Sequence, residues 1–282
     1  MFNSEIVIIL LLLFVIEYFF QLNNNKKMFI YFCRYILLNS LLYIAIAFCY
    51  MREYFWILLF VFIIKLILDK ILVFKTLDFK VTNWKEYYEK KPLKIIDKKR
   101  KNNIKYIVNV LRTNKFNGGV ILEYGGGNSF VAEAISNNFN INKFVIVDSN
   151  EYGIKLLDKR NISNLEKHCD SIFDYADKEN YDLVYSIGLI EHFQGDYLIK
   201  CIDKHFEMCK KGGWVLLTFP VNCFRYRVIR MVLEIFNMWQ YTDEVPLKKD
   251  YIEKIISENG SVMHSSINKK LILPQAIILI KR

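Results

Sequence analysis

Short apolar runs alternate with stretches of helical periodicity in the second half of the chain. The apolar runs predict strands at 120–123, 143–148, 165–169, 182–186, 213–219, 261–267 and 276–280. The Lys-Lys-Gly-Gly sequence at 210–213 predicts a turn before the fifth strand. The amphipathic stretches predict helices at 131–137, 152–158, 196–209 and 248–258. Strands that alternate with helices are typical of a parallel sheet covered on both faces. The last two strands have no helix between them, so we expect them to pair as an antiparallel edge of an α/β domain.

The first 74 residues follow a different pattern and are almost continuously apolar. A helix needs about 20 apolar residues to cross the hydrocarbon of a bilayer. Three segments approach this length, at 2–22, 28–51 and 54–74. Lys65 interrupts the third, so two spans and an interfacial helix are the alternative to three spans. The chain lacks the basic start and small-residue cleavage site of a signal peptide. We therefore predict an α-helical transmembrane region of about three helices over 1–75.

The net charge of +10 is concentrated directly after this apolar region. Residues 75–115 contain 13 Lys or Arg and 4 Asp or Glu. We interpret 76–116 as a basic helical linker, either solvated or held to anionic lipid. Nucleic acid is not an expected partner, because no recognition motif accompanies the charge. Two more lysines lie in the loop 23–27, and positive loops face the cytoplasm. The pattern therefore predicts a multi-pass protein of the cell (inner) membrane, with residues 75–282 in the cytoplasm.

The six cysteines indicate a reducing compartment. None forms a C-x-x-C pair, and their spacing is typical of neither a disulfide framework nor a zinc site. We therefore predict no metal site from the sequence.

The segment ILEYGGGNSF places three glycines, 125–127, directly after the predicted first strand. Ligands of open α/β sheets bind beyond the carboxyl ends of the strands, where glycine lets the backbone turn and a ligand approach. A dinucleotide loop has a third glycine where this chain has Phe130, a bulky residue expected to block the close approach of helix and strand. This argues against a nicotinamide oxidoreductase. No Gly-Lys-Ser/Thr sequence follows, and Glu123 would repel a phosphate. A carboxylate at that position suits a ligand with a cationic end.

Four further segments follow in order. Asp148 ends the second strand, where a carboxylate can accept both hydroxyls of a ribose. Together the segments ILEYGGGNSF, FVIVDSN, HCDSIFDY, YDLVYSIGLIEHF and CKKGGWVLLTFP make residues 117–282 resemble the class I S-adenosylmethionine-dependent methyltransferases of the type 11-like group. The resemblance implies a Rossmann-like seven-stranded sheet with an antiparallel last strand.

The resemblance also implies S-adenosyl-L-methionine as the cofactor. The residues it implies for cofactor binding all follow or end the first four strands: Glu123, Gly125, Gly127, Asp148, Ser149, Asp170, Ser171 and Ser186. Glu123 is expected near the methionine amino group, Asp148 at the ribose hydroxyls, and Asp170 at the adenine. Two alternatives stay open from the residues alone: Asp148 as a cap of the next helix, and Asp170 as a turn residue.

Methyl transfer needs the acceptor aligned with an activated methyl group, and a base only where the acceptor must lose a proton. His192 is the candidate catalytic base, because its ordinary pKa lies near neutral pH. Glu191 is expected to orient it or to face solvent, and a packed or surface histidine is the alternative. Residues 221–246 carry cations and aromatic rings, which favours an acceptor-side segment, an amphipathic surface helix or a structural lid.

The sequence therefore predicts a membrane-anchored methyltransferase, with the lipid bilayer as a partner and a lipid or lipid-linked small molecule as the acceptor. The alternative hypothesis is a non-catalytic membrane scaffold that binds S-adenosylmethionine.

Overall fold

A computed structural model describes residues 82–89, 94–177, 180–235 and 238–282 of the chain. The predicted transmembrane region at 1–75 lies outside these residues. Within the described part, no helix is both long enough and apolar enough to cross a membrane.

Seven strands form the centre of the described part: β1 Gly118–Tyr124, β2 Asn140–Val147, β3 Leu165–His168, β4 Tyr181–Ile187, β5 Cys209–Pro220, β6 Ser261–Asn268 and β7 Gln275–Lys281. The helices described are α1 Trp84–Glu89, α2 Lys94–Thr113, α3 Phe130–Ser136, α4 Glu151–Leu156, α5 Asp196–Met208, α6 Phe224–Ile235 and α7 Lys249–Ile256. Short 3₁₀ helices cover Leu157–Lys159 and Ile190–His192.

The strands form one sheet in the order β3-β2-β1-β4-β5-β7-β6. Strands β1 to β5 pair in parallel, whereas β7 runs antiparallel to both β5 and β6. Helices connect β1 to β2, β2 to β3 and β4 to β5, and only a short loop joins β6 to β7. A loop of that length forces the second strand to turn back on the first. The predicted α/β fold with an antiparallel last strand is thereby confirmed.

Strand β5 begins earlier than the sequence predicts. The turn expected at Lys210–Gly213 is instead a bulged part of the strand, and pairing with β4 shifts from Cys209 to Trp214. Gly212 adopts φ +71°, and its N–H donates to the carbonyl oxygen of Arg282 at 2.8 Å. The Lys-Lys-Gly-Gly sequence, which is typical of a turn, is therefore held in the sheet by the C-terminal residue.

Two apolar layers cover the sheet. Leu122 and Tyr124 of β1 face the layer that contains α5 and α7. Ile121 faces the opposite layer, which is built from α2, α3 and α4. Because side chains alternate along a strand, Glu123 points to the same side as Ile121. A carboxylate is therefore carried into the interior at the end of the central strand.

We expect the Ile277→Ala substitution in β7 to lower the free energy of unfolding by about 2–5 kcal/mol, because Ile277 is fully buried and its loss leaves a cavity. The matched control is Ile199→Ala, at a residue that is 39% exposed, and it should change stability by less than about 0.5 kcal/mol. Urea unfolding followed by circular dichroism measures both. Equal effects of the two substitutions would contradict the assignment of Ile277 to the core.

Candidate active site

The order of the strands reverses between β1 and β4, which places a cleft at the carboxyl ends of these strands. The strand ends are aligned, because Tyr124 pairs with both Val147 of β2 and Ser186 of β4. Val147 in turn pairs with His168 of β3. The sequence-predicted site residues that follow these strands therefore share one edge of the sheet.

The three glycines form a tight turn at this edge. Gly125 has φ +67° and Gly127 has φ +37°, a region that glycine tolerates best. The N–H of Gly125 donates to the carbonyl oxygen of Val147 at 2.8 Å. A Cβ atom on Gly126 would lie 2.5 Å from Cγ2 of Ile146. The loop is therefore pressed onto β2, and side chains at these positions would force it away.

Glu123 lies beneath the glycine loop and is only 2% exposed. Its carboxylate accepts hydrogen bonds from Ser129 Oγ at 2.9 Å and Tyr185 OH at 2.8 Å. Burial raises the pKa of Glu123 to about 7, although the two hydrogen bonds favour the ionised form. In this structure Glu123 ties β1 to β4 and to the start of α3. Its predicted contact with a methionine amino group stays a prediction.

The start of α3 differs from the sequence-based interpretation in two ways. Ser129, which the sequence analysis did not single out, is the N-cap, and its Oγ accepts from the N–H of Ala132 at 3.0 Å. Phe130 does not separate helix from strand, because it is 37% exposed and lies 3.6 Å below the guanidinium of Arg160. The N-cap preference for serine was the signal that identifies Ser129.

Asp148 stands at the end of β2 beside the glycine loop. Its Oδ1 accepts from the N–H of Asn150 at 2.7 Å. Burial raises the pKa of Asp148, while hydrogen bonds from the backbone N–H groups of Asn150 and Gly127 oppose the shift. The N-cap of α4 is Asn150, whose Oδ1 accepts from Gly153 N at 2.8 Å. The alternative that Asp148 serves only as a helix cap is therefore wrong.

The remaining predicted cofactor residues lie at the same edge with different exposure. Ser149 and Asp170 are exposed, at the ends of β2 and β3. Ser171 Oγ accepts from the N–H of Phe173 at 3.2 Å and so stabilises a turn. Ser186 is fully buried, and its hydroxyl has no hydrogen-bond partner. Its unpaired hydroxyl makes Ser186 the polar group best suited to a ligand in this set.

Tyr88 of α1 covers the glycine loop. A Cβ atom on Gly127 would lie 1.8 Å from Tyr88 OH, and one on Gly153 would lie 2.9 Å from Tyr88 Cε2. The space directly above Gly127 is therefore filled by the tyrosine, and a ligand reaches the loop only when this side chain turns away. The structure thus places Tyr88 of α1 over the glycine loop.

His192 ends the 3₁₀ helix that follows β4. Its Nδ1 lies 2.9 Å from Oδ1 of Asp243, which also accepts a hydrogen bond from Thr82. The ring of Trp84 packs edge to face on the imidazole, with 5.1 Å between ring centroids. Burial opposes ionisation of Asp243, but the hydrogen bonds from His192 and Thr82 hold its pKa at about 2. An ionised Asp243 accepts a hydrogen bond from Nδ1 of His192, and Nε2 is the ring nitrogen that faces away from this partner.

Glu191 neither orients His192 nor faces solvent, which were its two predicted roles. It is 2% exposed, so it does not face solvent. Asp243, and not Glu191, holds the imidazole of His192. Sequence reasoning missed this partner, because 51 residues separate it from His192 and no spacing rule connects them. Next to it, Glu244 is buried and accepts a hydrogen bond from Tyr226 OH of α6.

This sheet, with a glycine turn and a carboxylate at its switch point, defines the class I methyltransferase fold. A family profile for a methyltransferase domain matches residues 96–270, and the chain belongs to that family. No curated protein matches the chain significantly.

Solved structures with the same fold include methyltransferases with bound cofactor or product. One is magnesium protoporphyrin IX methyltransferase from Synechocystis PCC 6803 with bound S-adenosylhomocysteine, which is 14% identical in sequence. The alignment covers 71% of this chain and 92% of that protein, with a TM-score of 0.56. The N-methyltransferase NodS from Bradyrhizobium japonicum WM9, with the same product, is 11% identical, covers 64% and 86%, and has a TM-score of 0.51. At these identities the likeness establishes the fold.

The protein is therefore a methyltransferase, and S-adenosylmethionine is the cofactor that the sequence resemblance implies. The residues present fit that cofactor: the glycine turn leaves room for a ligand once Tyr88 moves, and Asp148 offers carboxylate oxygens beside it. Ser186 adds a buried hydroxyl that lacks a partner.

We expect Glu123→Gln to flatten the pH dependence of stability in the cofactor-free protein. The pKa of Glu123 is raised from 4.5 to about 7 in the folded state, so the folded protein holds this proton more tightly than the unfolded chain. The resulting stabilisation is complete below pH 4.5 and is lost as the pH rises through 7. Its size is on the order of 3 kcal/mol.

Chemical unfolding at a series of pH values measures this contribution as the difference between wild type and variant. Glu258→Gln, at an exposed glutamate, is the control and should leave the pH profile unchanged. A profile for Glu123→Gln that is parallel to that of the wild type would contradict the raised pKa.

Proposed function

We propose that this methyltransferase is held at a membrane and methylates a lipid or lipid-linked acceptor. The observation that carries the proposal is a set of three exposed apolar side chains on the segment 221–246, which the sequence offers as an acceptor-side segment. Phe224, Val232 and Met238 on this segment are 80%, 41% and 52% exposed. Exposed apolar side chains grouped with basic ones are typical of a helix that lies on a membrane surface.

The same segment reaches the site directly. Tyr226 of α6 is fully buried and donates its hydroxyl proton to Glu244, which follows the His192 partner Asp243 in the chain. Arg225, one residue before, donates to the carbonyl oxygens of Lys269 and Leu271, both at 2.8 Å, so the start of α6 is anchored to the β6–β7 loop. The segment therefore carries both residues that reach the neighbourhood of His192 and exposed apolar side chains.

The N-terminal sequence supports the same proposal. The apolar residues 1–75 would anchor the chain, and the basic linker at 76–116 would lie against anionic lipid. We further propose a multi-pass arrangement in the cell (inner) membrane with the methyltransferase domain in the cytoplasm. Anchoring confines the active site to the layer in which a lipid-linked acceptor lies.

S-adenosylmethionine, when bound, supplies a methyl group that its sulfonium already activates. The chain would hold it with the glycine loop, Asp148 and Ser186, and Tyr88 with Trp84 would exclude water. Nε2 of His192 faces away from Asp243. In the sequence-based hypothesis this atom accepts a proton from the methyl acceptor.

We expect Asp148→Asn to weaken S-adenosylmethionine binding by about tenfold or more, because a hydrogen bond to a charged group is worth roughly 1.5–3 kcal/mol. Isothermal titration calorimetry on the full chain measures the affinity. Asp250→Asn is the matched control, because that side chain is 94% exposed and distant in sequence from the glycine loop. Equal affinities of wild type and Asp148→Asn would remove Asp148 from the cofactor site.

The acceptor class is tested by transfer of a labelled methyl group into total lipid extract and, separately, into the aqueous extract of the same cells. We expect the label in the lipid fraction, with a several-fold lower rate for Phe224→Ser. Tyr251→Ser is the control, because Tyr251 is 49% exposed on α7, outside the proposed surface. Label that enters only the aqueous fraction would refute a lipid acceptor. Methylation of neither fraction would favour the scaffold hypothesis.

A further inference from the structure

Three side chains with metal-ligating atoms converge where β4 ends. One carboxylate oxygen of Glu191, one of Glu244 and one ring nitrogen of His192 lie within 4.8 Å of one another. Ligands of Zn²⁺ lie about 2.0–2.2 Å from the ion, so side-chain shifts of about 1 Å would bring all three onto one ion. The three residues come from two segments, the 3₁₀ helix after β4 and the loop that precedes Leu247, which forms an isolated parallel bridge with Val221.

The buried carboxylate of Glu191 has an oxygen without a partner at this place. It is 2% exposed, and its Oε2 has no hydrogen-bond donor. A buried carboxylate oxygen without a donor or cation is costly. A cation between the two carboxylates would satisfy both, and Glu191 Oε2 supplies an open ligand position.

The hydrogen bonds that hold His192 and Glu244 are of the kind that orients metal ligands in proteins. Nδ1 of His192 is held by Asp243 at 2.9 Å, which leaves Nε2 for coordination. Tyr226 OH donates to Oε1 of Glu244, and this leaves Oε2 of that carboxylate for another partner. A histidine whose second nitrogen is bound by a carboxylate is a recurrent arrangement around metals, because it fixes both the tautomer and the ring orientation.

We propose that Glu191, His192 and Glu244 bind one divalent transition-metal ion, Zn²⁺ or Mn²⁺, beside the carboxyl end of β4. One imidazole with two carboxylates suits these ions better than Mg²⁺, which prefers oxygen ligands and retains its water. Three protein ligands leave at least one position open for water or an oxygen of the methyl acceptor. His192 then acts as a ligand through Nε2, in place of the proton acceptor that the sequence indicates.

The position of the site would allow a bound ion to take part in methyl transfer. Oε1 of Glu191 lies 3.2 Å from the position that a Cβ atom on Gly188 would occupy. Gly188 follows Ser186 by two residues, at the edge of the sheet that carries the predicted cofactor residues (the cofactor edge). An ion here would neighbour both the cofactor residues and the acceptor-side segment. The proposal concerns metal binding itself, so it holds or fails separately from the lipid acceptor.

The test is binding of Zn²⁺ or Mn²⁺ to the full chain after treatment with a chelator. Calorimetry with Zn²⁺ and electron paramagnetic resonance with Mn²⁺ should each give one ion per chain. Glu191→Gln, Glu244→Gln and His192→Ala should each lower the affinity at least tenfold. Glu258→Gln, at an exposed glutamate, should bind as the wild type does.

Two results would overturn the proposal. One is a chelator-treated wild type that is folded by circular dichroism and binds neither ion. The other is stoichiometric binding that the three variants leave unchanged, which would place the ion elsewhere. A thermal shift guards against loss of folding. Without metal, Glu191→Gln should melt at or above the wild-type temperature, because it removes a buried carboxylate, and only the wild type should gain stability when the ion is added.

Discussion

The buried carboxylate of Glu123 is the constraint on which the cofactor edge depends. It lies at the end of the central strand β1 and accepts hydrogen bonds from β4 through Tyr185 and from the start of α3 through Ser129. The glycine loop spans the gap between these attachments. Because the carboxylate is beneath the loop, the loop cannot sink into the sheet, and its backbone stays at the surface that a ligand reaches.

The two halves of the site use buried acids differently. Glu123 is satisfied by two hydroxyl donors, so it stabilises the loop whether or not a ligand is bound. Glu191 lies in the 3₁₀ helix that follows the neighbouring strand β4 and has an oxygen without any donor. The first arrangement is complete in itself, whereas the second needs another chemical group. This contrast separates a structural carboxylate from one that a metal ion would complete.

The segment 221–246 carries both polar groups of the candidate site and exposed apolar side chains. It carries the partners of His192 and Glu191 on its inner side and exposed apolar residues such as Phe224 on its outer side. Helix α6 is tied to the body of the domain by Arg225 and Tyr226, so its position is set by the fold. A single insertion into the sheet topology therefore supplies both the acceptor-side polar groups and the surface proposed to meet the bilayer.

Sequence alone determined the features that local patterning controls. Alternating apolar runs predicted seven strands and the antiparallel edge, and the glycines with Asp148 marked the cofactor edge, because strand ends and turns have residue signatures. Tertiary structure decided the rest. It replaced the predicted turn at Lys210–Gly213 with a strand that the chain end pairs, and it brought Asp243 to His192 across 51 residues. Such contacts have no local signature, since only the folded sheet brings distant segments together.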